Sequence, residues 1–176
     1  MKDEYGKTLE AIQFAIQMEI DGKAYYLKAS RESDNKVGTE LFEWLAGEED
    51  KHLQRFEDIY NSIKKQKAWP EVNLQPQKGE IFKTLFSAAM RAAGAKAKAA
   101  STELDTIDKA MEMENKTEKF YSSRGAEAVY GAEKKLYTSL AAEERGHFLA
   151  LVDYREYLID PAGWFRKAEH HTLDGG

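Results

Sequence analysis

Apolar residues recur at steps of three and four positions towards the end of the chain, which is the spacing of one face of an α-helix. Two polar residues interrupt this apolar row. The row runs through Leu136, Leu140, Glu144, His147, Leu151, Tyr154 and Leu158. A buried carboxylate or imidazole costs roughly several kcal/mol unless it is paired or binds a ligand. The pattern therefore predicts an amphipathic helix with a polar site on its inner face.

An equivalent row, with a glutamate and a histidine at the same steps, lies 95 residues earlier. It consists of Leu41, Leu45, Glu49, His52, Phe56, Ile59 and Ile63. Upstream of the two rows, "AIQMEIDGKAYY" (15–26) aligns without a gap with "AMEMENKTEKFY" (110–121), so that Glu19 corresponds to Glu114. The chain thus contains an internal duplication of one helical hairpin.

Four long helices are predicted, two in each repeat. They cover about residues 4–31, 37–67, 102–123 and 127–159. In the first turn, "SRESDNKVG", Asp34 or Asn35 can cap the second helix, and Ser101 is the expected N-cap of the third. "SSRGAE" is expected to form the tight turn of the second hairpin, and Pro161 to end the fourth helix.

A crossover over about 68–100 is predicted to connect the two hairpins. Its first part, "AWPEVNLQPQKG", contains two of the three prolines and breaks the helix. Its second part, "EIFKTLFSAAMRAAGAKAKAA", has the spacing of a short amphipathic helix. That helix either crosses the bundle as a structural link or binds a lipid surface or a partner.

The chain is expected to form one domain over 1–160, followed by a tail over 161–176. Trp164 and Phe165 make the tail too apolar to extend freely into water, so it is expected to dock on the bundle or on a second subunit. His170 and His171 are either incidental residues of this tail or a surface metal site.

The composition narrows the function classes. With 42% hydrophobic and 32% charged residues, the 176-residue chain suits a helical protein with one core and charged outer faces. A net charge of −5 leaves no basic stripe, which argues against nucleic acid as a partner. No segment has the length and apolarity of a signal or membrane span, so cytoplasm is the default location. Without cysteine, thiolate metal sites and disulfides are excluded.

The two repeats together direct four carboxylates and two imidazoles into one bundle core. The candidate metal ligands are Glu19, Glu49, His52, Glu114, Glu144 and His147. Two dications would cancel the four negative charges, and oxygen-rich ligation favours iron or manganese over structural zinc. Protonated carboxylates, lysine pairing across the core and a polar channel are the metal-free alternatives. None of them explains why both histidines fall at the same offset.

The six residues resemble the ligand signature of the ferritin-like diiron superfamily, and within it the chain is most similar to rubrerythrin-type proteins. The resemblance implies an all-α, ferritin-like four-helix bundle that holds two iron ions, with manganese as the alternative metal. It also implies that Glu49 and Glu144 bridge the two metals. Glu19 and Glu114 would then be terminal ligands, and each histidine would bind one metal.

The sequence also departs from that family. Rubrerythrins carry a cysteine-ligated rubredoxin iron centre, which this chain cannot build. They have an additional glutamate three residues after the position of Glu114, where this chain has Thr117. Glu118, one turn after Glu114, is either a seventh ligand or an acid that faces solvent. The source of electrons is therefore left open.

Two further pairs of residues repeat at the same offset. Tyr26 and Tyr121 follow the terminal glutamates by seven residues, and they either hydrogen-bond the ligands or pack in the core. Glu48 and Glu143 precede the bridging glutamates and are rotated off the inner face. We expect them to be solvated or paired with lysine rather than bound to metal.

Three function classes follow from this reading. The first is a rubrerythrin-like peroxidase or oxidase that reduces hydrogen peroxide or dioxygen with electrons from an external donor. The second is a ferroxidase that handles iron, and the third is a helical module that holds metal without catalysis. A homodimer is the expected assembly, because nothing in the sequence specifies the closed cage that iron storage requires.

Overall fold

The computed structural model describes residues 2–66, 69–70 and 101–166, with side chains described from residue 6 onwards. Its elements are α1 (Lys2–Glu32), α2 (Lys36–Gln66), α3 (Ser101–Glu127), α4 (Gly131–Ile159) and a short helix, α5, over 161–166. The predicted all-α bundle is confirmed. The predicted crossover helix lies outside the described residues, as do His170 and His171. Among the helices described, none combines the length and apolarity needed to cross a membrane.

The bundle consists of two helical hairpins packed face to face. The most extensive contacts join α1 to α2 and α3 to α4. Between the hairpins, the rings of Phe14 and Phe120 pack with their centroids 5.1 Å apart. The Tyr25 hydroxyl donates a hydrogen bond to the Thr106 carbonyl oxygen at 2.7 Å. As the residue number rises along α1, the residue number of its partner on α3 falls, so these two helices are antiparallel. The two repeats are therefore related by an approximate two-fold axis across the bundle.

Two apolar clusters form the core, one towards each end of the bundle. One cluster surrounds Phe42 and Tyr154 and includes Leu41, Leu45, Ile107 and Leu151. The other surrounds Phe56 and includes Ile12, Ile59, Ile63, Leu136 and Leu140. The duplicated polar residues lie between the clusters, so the bundle has a polar layer at its middle.

The second hairpin turn differs from its prediction. "SSRGAE" is helical, because α3 continues to Glu127, and the turn lies at 128–130 instead. Gly125 is buried, and a Cβ on it would lie 3.4 Å from Thr138 Oγ1 and 3.5 Å from Tyr137 Cβ. The glycine therefore permits a close approach of α3 to α4, rather than ending the helix. Ser101 is likewise inside α3, not ahead of it.

Side-chain hydrogen bonds cap the start of α2 and attach the segment that follows α4. Asn35, one of the two candidate caps, accepts a hydrogen bond from the Val37 N–H at 2.9 Å. After α4, Pro161 begins α5, a position that suits proline because the first helical N–H has no partner within the helix. Trp164 on α5 is buried and donates its indole N–H to Asp153 Oδ1 on α4 at 2.8 Å.

Candidate metal centre

All six predicted ligands lie in the polar layer, and each has 5% or less of its surface exposed. α1 and α3 contribute one glutamate each, whereas α2 and α4 each contribute a glutamate and the histidine one turn later. Their ligand atoms form two groups, and the atoms of each group lie within 4.8 Å of one another. The groups are Glu19, Glu49, His52 and Glu144, and Glu49, Glu114, Glu144 and His147.

The two groups overlap in a way that suits two metals side by side. Glu49 and Glu144 belong to both groups. Glu19 and Glu114 belong to one group each, as do the histidines. This sharing suits the bridging and terminal roles that the resemblance implies, and those roles stay predictions.

Both imidazoles turn the same nitrogen inward. His52 Nδ1 lies 3.1 Å from Glu144 Oε1, and His147 Nδ1 lies 3.2 Å from Glu144 Oε2. The rings are stacked, with centroids 5.6 Å apart. Glu144 therefore lies between two nearly parallel histidines, one from each hairpin.

Several inward-facing atoms of the cluster lack a well-aligned hydrogen bond among the described residues, although His52 Nδ1 and Glu144 Oε1 lie only 3.1 Å apart. They are Glu19 Oε2, His52 Nδ1, Glu114 Oε2 and Glu144 Oε1. Buried polar atoms of folded proteins are almost always satisfied, and each exception calls for a cause. Oxygen and imidazole nitrogen atoms that converge in this way are the donor set that iron and manganese accept. The residues present therefore fit a dinuclear metal site.

Several side chains of the cluster have raised pKa values, so they hold protons that a bound metal would replace. Burial, and then the charge of Glu144, raise the pKa of Glu114 to about 8. Burial and the neighbouring glutamates also raise the pKa of Glu49 well above its usual range. Burial opposes the charging of His147, but Glu114 and Glu144 outweigh it and raise its pKa to about 10. Protons thus balance the carboxylates in the absence of metal, and a bound dication would displace them.

The two tyrosines form hydrogen bonds that cross between the repeats. Tyr26 of the first repeat donates to Glu114 Oε1 of the second, and Tyr121 of the second donates to Glu19 Oε1 of the first. Both rings are fully buried. Burial and the adjacent carboxylates raise the pKa of both phenols well above 10, so their protons are retained. Of the two alternatives, the structure shows hydrogen bonds to the predicted ligands.

The glutamates before the bridging positions behave differently from each other. Glu48 pairs with Lys51 Nζ at 2.6 Å, as predicted, although it is buried. Glu143 does not pair with lysine: it accepts from His52 Nε2 at 3.1 Å and from Arg55 Nη1 at 3.3 Å. For Glu143 the prediction of a solvated or lysine-paired acid is wrong. Helical spacing gives the direction of a side chain but not the partner that it meets on the next helix.

Glu118 is not brought to the cluster. It is half-buried, accepts a hydrogen bond from Ser122 Oγ at 3.4 Å, and belongs to neither group of metal-ligating atoms. Thr117 donates its hydroxyl to the Met113 carbonyl of its own helix at 3.1 Å. Glu118 therefore adds no seventh member to the six candidate ligands that the structure brings together.

The pattern of candidate ligands does not predict one residue that shapes the site. Gly22 on α1 lies against the side chain of Glu49, and a Cβ on it would lie 3.3 Å from the carboxyl carbon of that glutamate. A glycine in mid-helix, three residues after a predicted ligand, could have indicated this close approach.

Comparison with known proteins agrees with this geometry. The family model described as Rubrerythrin matches residues 10–153. Among solved structures, the chain is similar to "Hypothetical Protein Pfu-1136390-001 From Pyrococcus furiosus", with a TM-score of 0.63 and 23% sequence identity. The similarity covers 86% of this chain and 89% of the other, and shows a shared fold. No curated protein matches the chain. The family match spans most of the chain and includes both halves of the buried glutamate and histidine cluster, so the chain belongs to the rubrerythrin family.

Proposed function

We propose that the protein is a diiron oxidoreductase that reduces hydrogen peroxide in its bundle core, with dioxygen as the slower oxidant. The proposal rests on the crossed tyrosine–carboxylate pairs, which place one phenolic proton at each end of the metal cluster. Reduction of hydrogen peroxide to two water molecules consumes two protons and two electrons. Because the pKa of each phenol is raised well above 10, the two hydroxyls keep their protons and act as fixed hydrogen-bond donors at the site, and the two protons that are consumed come from water.

Each group of side chains has a separate role in this function. The six ligands would hold two iron ions, and iron would supply the electron transfer to the bound oxidant. Tyr26 O–H holds a proton at Glu114 Oε1, and Tyr121 O–H holds one at Glu19 Oε1. The two apolar clusters above and below the layer exclude water from the reacting atoms. Because this chain has no cysteine with which to build a thiolate-bound iron centre of its own, an external donor would supply the electrons.

The choice of oxidant is tested on protein loaded anaerobically with ferrous iron and mixed in a stopped-flow instrument with each oxidant. We expect peroxide to oxidise the site faster than dioxygen. Equal or reversed rates would contradict the proposal and favour ferroxidase activity. No oxidation by either would leave a bundle that only holds metal. Size-exclusion chromatography separates the expected dimer from the cage that iron storage requires.

The role of the tyrosines is tested by Tyr26→Phe and Tyr121→Phe. Each removes the hydroxyl that donates a hydrogen bond to a terminal glutamate, so we expect peroxide oxidation to slow by about tenfold or more at saturating iron. Tyr25→Phe is the matched control, because its hydroxyl binds a backbone carbonyl instead of a carboxylate. If Tyr25→Phe slowed the reaction as much as Tyr26→Phe, the specific role of the Tyr26 hydroxyl at the carboxylate would be disproved.

A further inference from the structure

The two halves of the metal centre have the same ligands but different surroundings. The difference begins at the outer nitrogen of each histidine, the one that faces away from the cluster. His52 Nε2 lies 3.1 Å from Glu143 Oε2. The other oxygen of Glu143 accepts from Ser139 Oγ at 2.9 Å and from Arg55 Nη1 at 3.3 Å. Glu143 is therefore held in place from both hairpins while it contacts His52.

His147 has no such arrangement. Glu48 occupies the position equivalent to Glu143, but its carboxylate is paired with Lys51 Nζ. Trp44 occupies the position equivalent to Ser139, and its ring lies edge-on to that of His147 at 5.4 Å between centroids. Among the side chains described, over 6–66, 69–70 and 101–166, Glu143 is the only carboxylate hydrogen-bonded to the outer nitrogen of either histidine.

Three substitutions between the repeats account for the difference. Relative to the second repeat, the first has tryptophan for serine, lysine for glycine and arginine for alanine. The three pairs are Trp44 and Ser139, Lys51 and Gly146, and Arg55 and Ala150. The lysine holds Glu48, and the arginine reaches across to Glu143. Alanine at position 150 cannot provide the reciprocal contact, so the asymmetry is encoded in the sequence.

We propose that Glu143 is a positioning residue that makes the His52 half of the centre the tighter metal site, which fills before the His147 half. This rests on the proposed metal binding. A carboxylate that accepts the outer N–H of a ligating histidine fixes the ring and its tautomer, and makes the inner nitrogen a better donor. Here the inner nitrogen is Nδ1 of His52. The ring of His147 packs edge-on with the Trp44 ring and has no such carboxylate at its outer nitrogen. The half of the centre that contains His147 therefore binds metal more weakly.

The test is an anaerobic calorimetric titration of metal-free protein with ferrous ion. We expect the wild-type chain to bind two ions in two resolved steps. Glu143→Gln keeps the size of the side chain and removes its charge, and should weaken the tighter step by about 10- to 100-fold. Glu48→Gln, the repeat-equivalent change, should leave both steps unchanged. Mössbauer spectra of the diferrous protein should show two iron environments, of which Glu143→Gln alters only one.

A milder variant guards against a folding defect. Ser139→Ala leaves Glu143 in place but removes one of the groups that hold it, so it should weaken the same step by a smaller factor. Equal effects of Glu143→Gln and Glu48→Gln, or no effect of Glu143→Gln, would overturn the inference while two ions still bind. A single binding step with one iron environment would also overturn it. A wild-type chain that takes up no iron would overturn the proposed function as well.

Discussion

At the scale of single residues, Gly22 sets how closely a predicted bridging ligand can approach the backbone of α1. The side chain of Glu49 occupies the space that a Cβ at position 22 would need. The equivalent residue of the second repeat is Thr117, which points its hydroxyl at its own helix. The two repeats therefore differ at this position, with glycine in the first and threonine in the second.

Gly22→Ala should weaken iron binding without destabilising the metal-free protein. Alanine is favoured over glycine inside a helix by about 0.5–1 kcal/mol, so α1 itself gains stability. The new Cβ, however, would shift the Glu49 carboxyl group by a few tenths of an ångström from the position that places it in both groups of candidate ligand atoms. Calorimetric iron titration and denaturant unfolding of the metal-free protein measure the two effects.

Gly47→Ala on α2 is the matched control, because a Cβ there meets nothing within 4 Å. It should give the helical gain alone. If the Gly22→Ala protein bound iron as tightly as the Gly47→Ala protein, the close approach of Glu49 would have no bearing on the metal site.

At the scale of elements, a buried polar cluster joins the first turn to the second hairpin. Glu103, near the start of α3, accepts from Ser33 Oγ at 2.7 Å and from the Tyr154 hydroxyl at 2.9 Å. Gly38 on α2 lies against all three side chains, and a Cβ on it would collide with each of them. This cluster ties both hairpins together at one end of the bundle, away from the metal layer.

Gly38→Ala should lower the free energy of unfolding by about 1–3 kcal/mol, since the added methyl group overpacks a closed site and disturbs its hydrogen bonds. Chemical denaturation measures this loss. Gly146→Ala on α4, where a Cβ has open space, should not cause it. Equal stability of the two variants would contradict the packing at Gly38.

The elements also show what the sequence can and cannot predict. The four helices and the six converging side chains follow from periodicity and from the repeat, because both determine which side chains face inward. The predicted position of the second turn is wrong, because Gly125 serves close packing between α3 and α4 rather than a helix end. Glu48 and Glu143 are equivalent in sequence, and only the facing helix separates their roles. Contacts between helices depend on neighbours that a helical period does not encode.

At the scale of the whole molecule, the stability of the bundle is coupled to the charge of its middle layer. Glu114 and His147 have pKa values raised from 4.5 and 6.5 to about 8 and about 10. Such groups stabilise the fold fully below the unfolded-state pKa, and that contribution is lost as pH rises through the folded-state pKa. The pKa of Glu143 is shifted in the opposite direction, so its contribution to stability is lost as pH falls. Burial opposes its ionisation, but the hydrogen bond from His52 and the nearby charges lower its pKa to about 2.

The metal-free protein should therefore be most stable at about pH 4–5, where the stabilising contributions of both kinds of group are nearly complete, and lose stability as pH rises towards 10. With iron bound, the dications replace the protons, so the advantage of the loaded protein should widen over the same pH range. Denaturant unfolding at a series of pH values, anaerobically with ferrous iron or with a chelator, measures both curves. Parallel curves would argue against ligation by these side chains.

The crossed tyrosines have a consequence for the origin of the chain. Since each tyrosine completes the site of the opposite repeat, one hairpin alone would lack half of its ligands and the hydroxyl that orients its own terminal glutamate. A single-hairpin ancestor could assemble this centre only as a pair of identical copies, at a concentration high enough for them to meet. Fusion of the two copies makes that encounter intramolecular, and independent of how much protein the cell makes. It also frees each copy to mutate alone, which is how a symmetric pair can acquire one tryptophan, one arginine and two histidines with different surroundings.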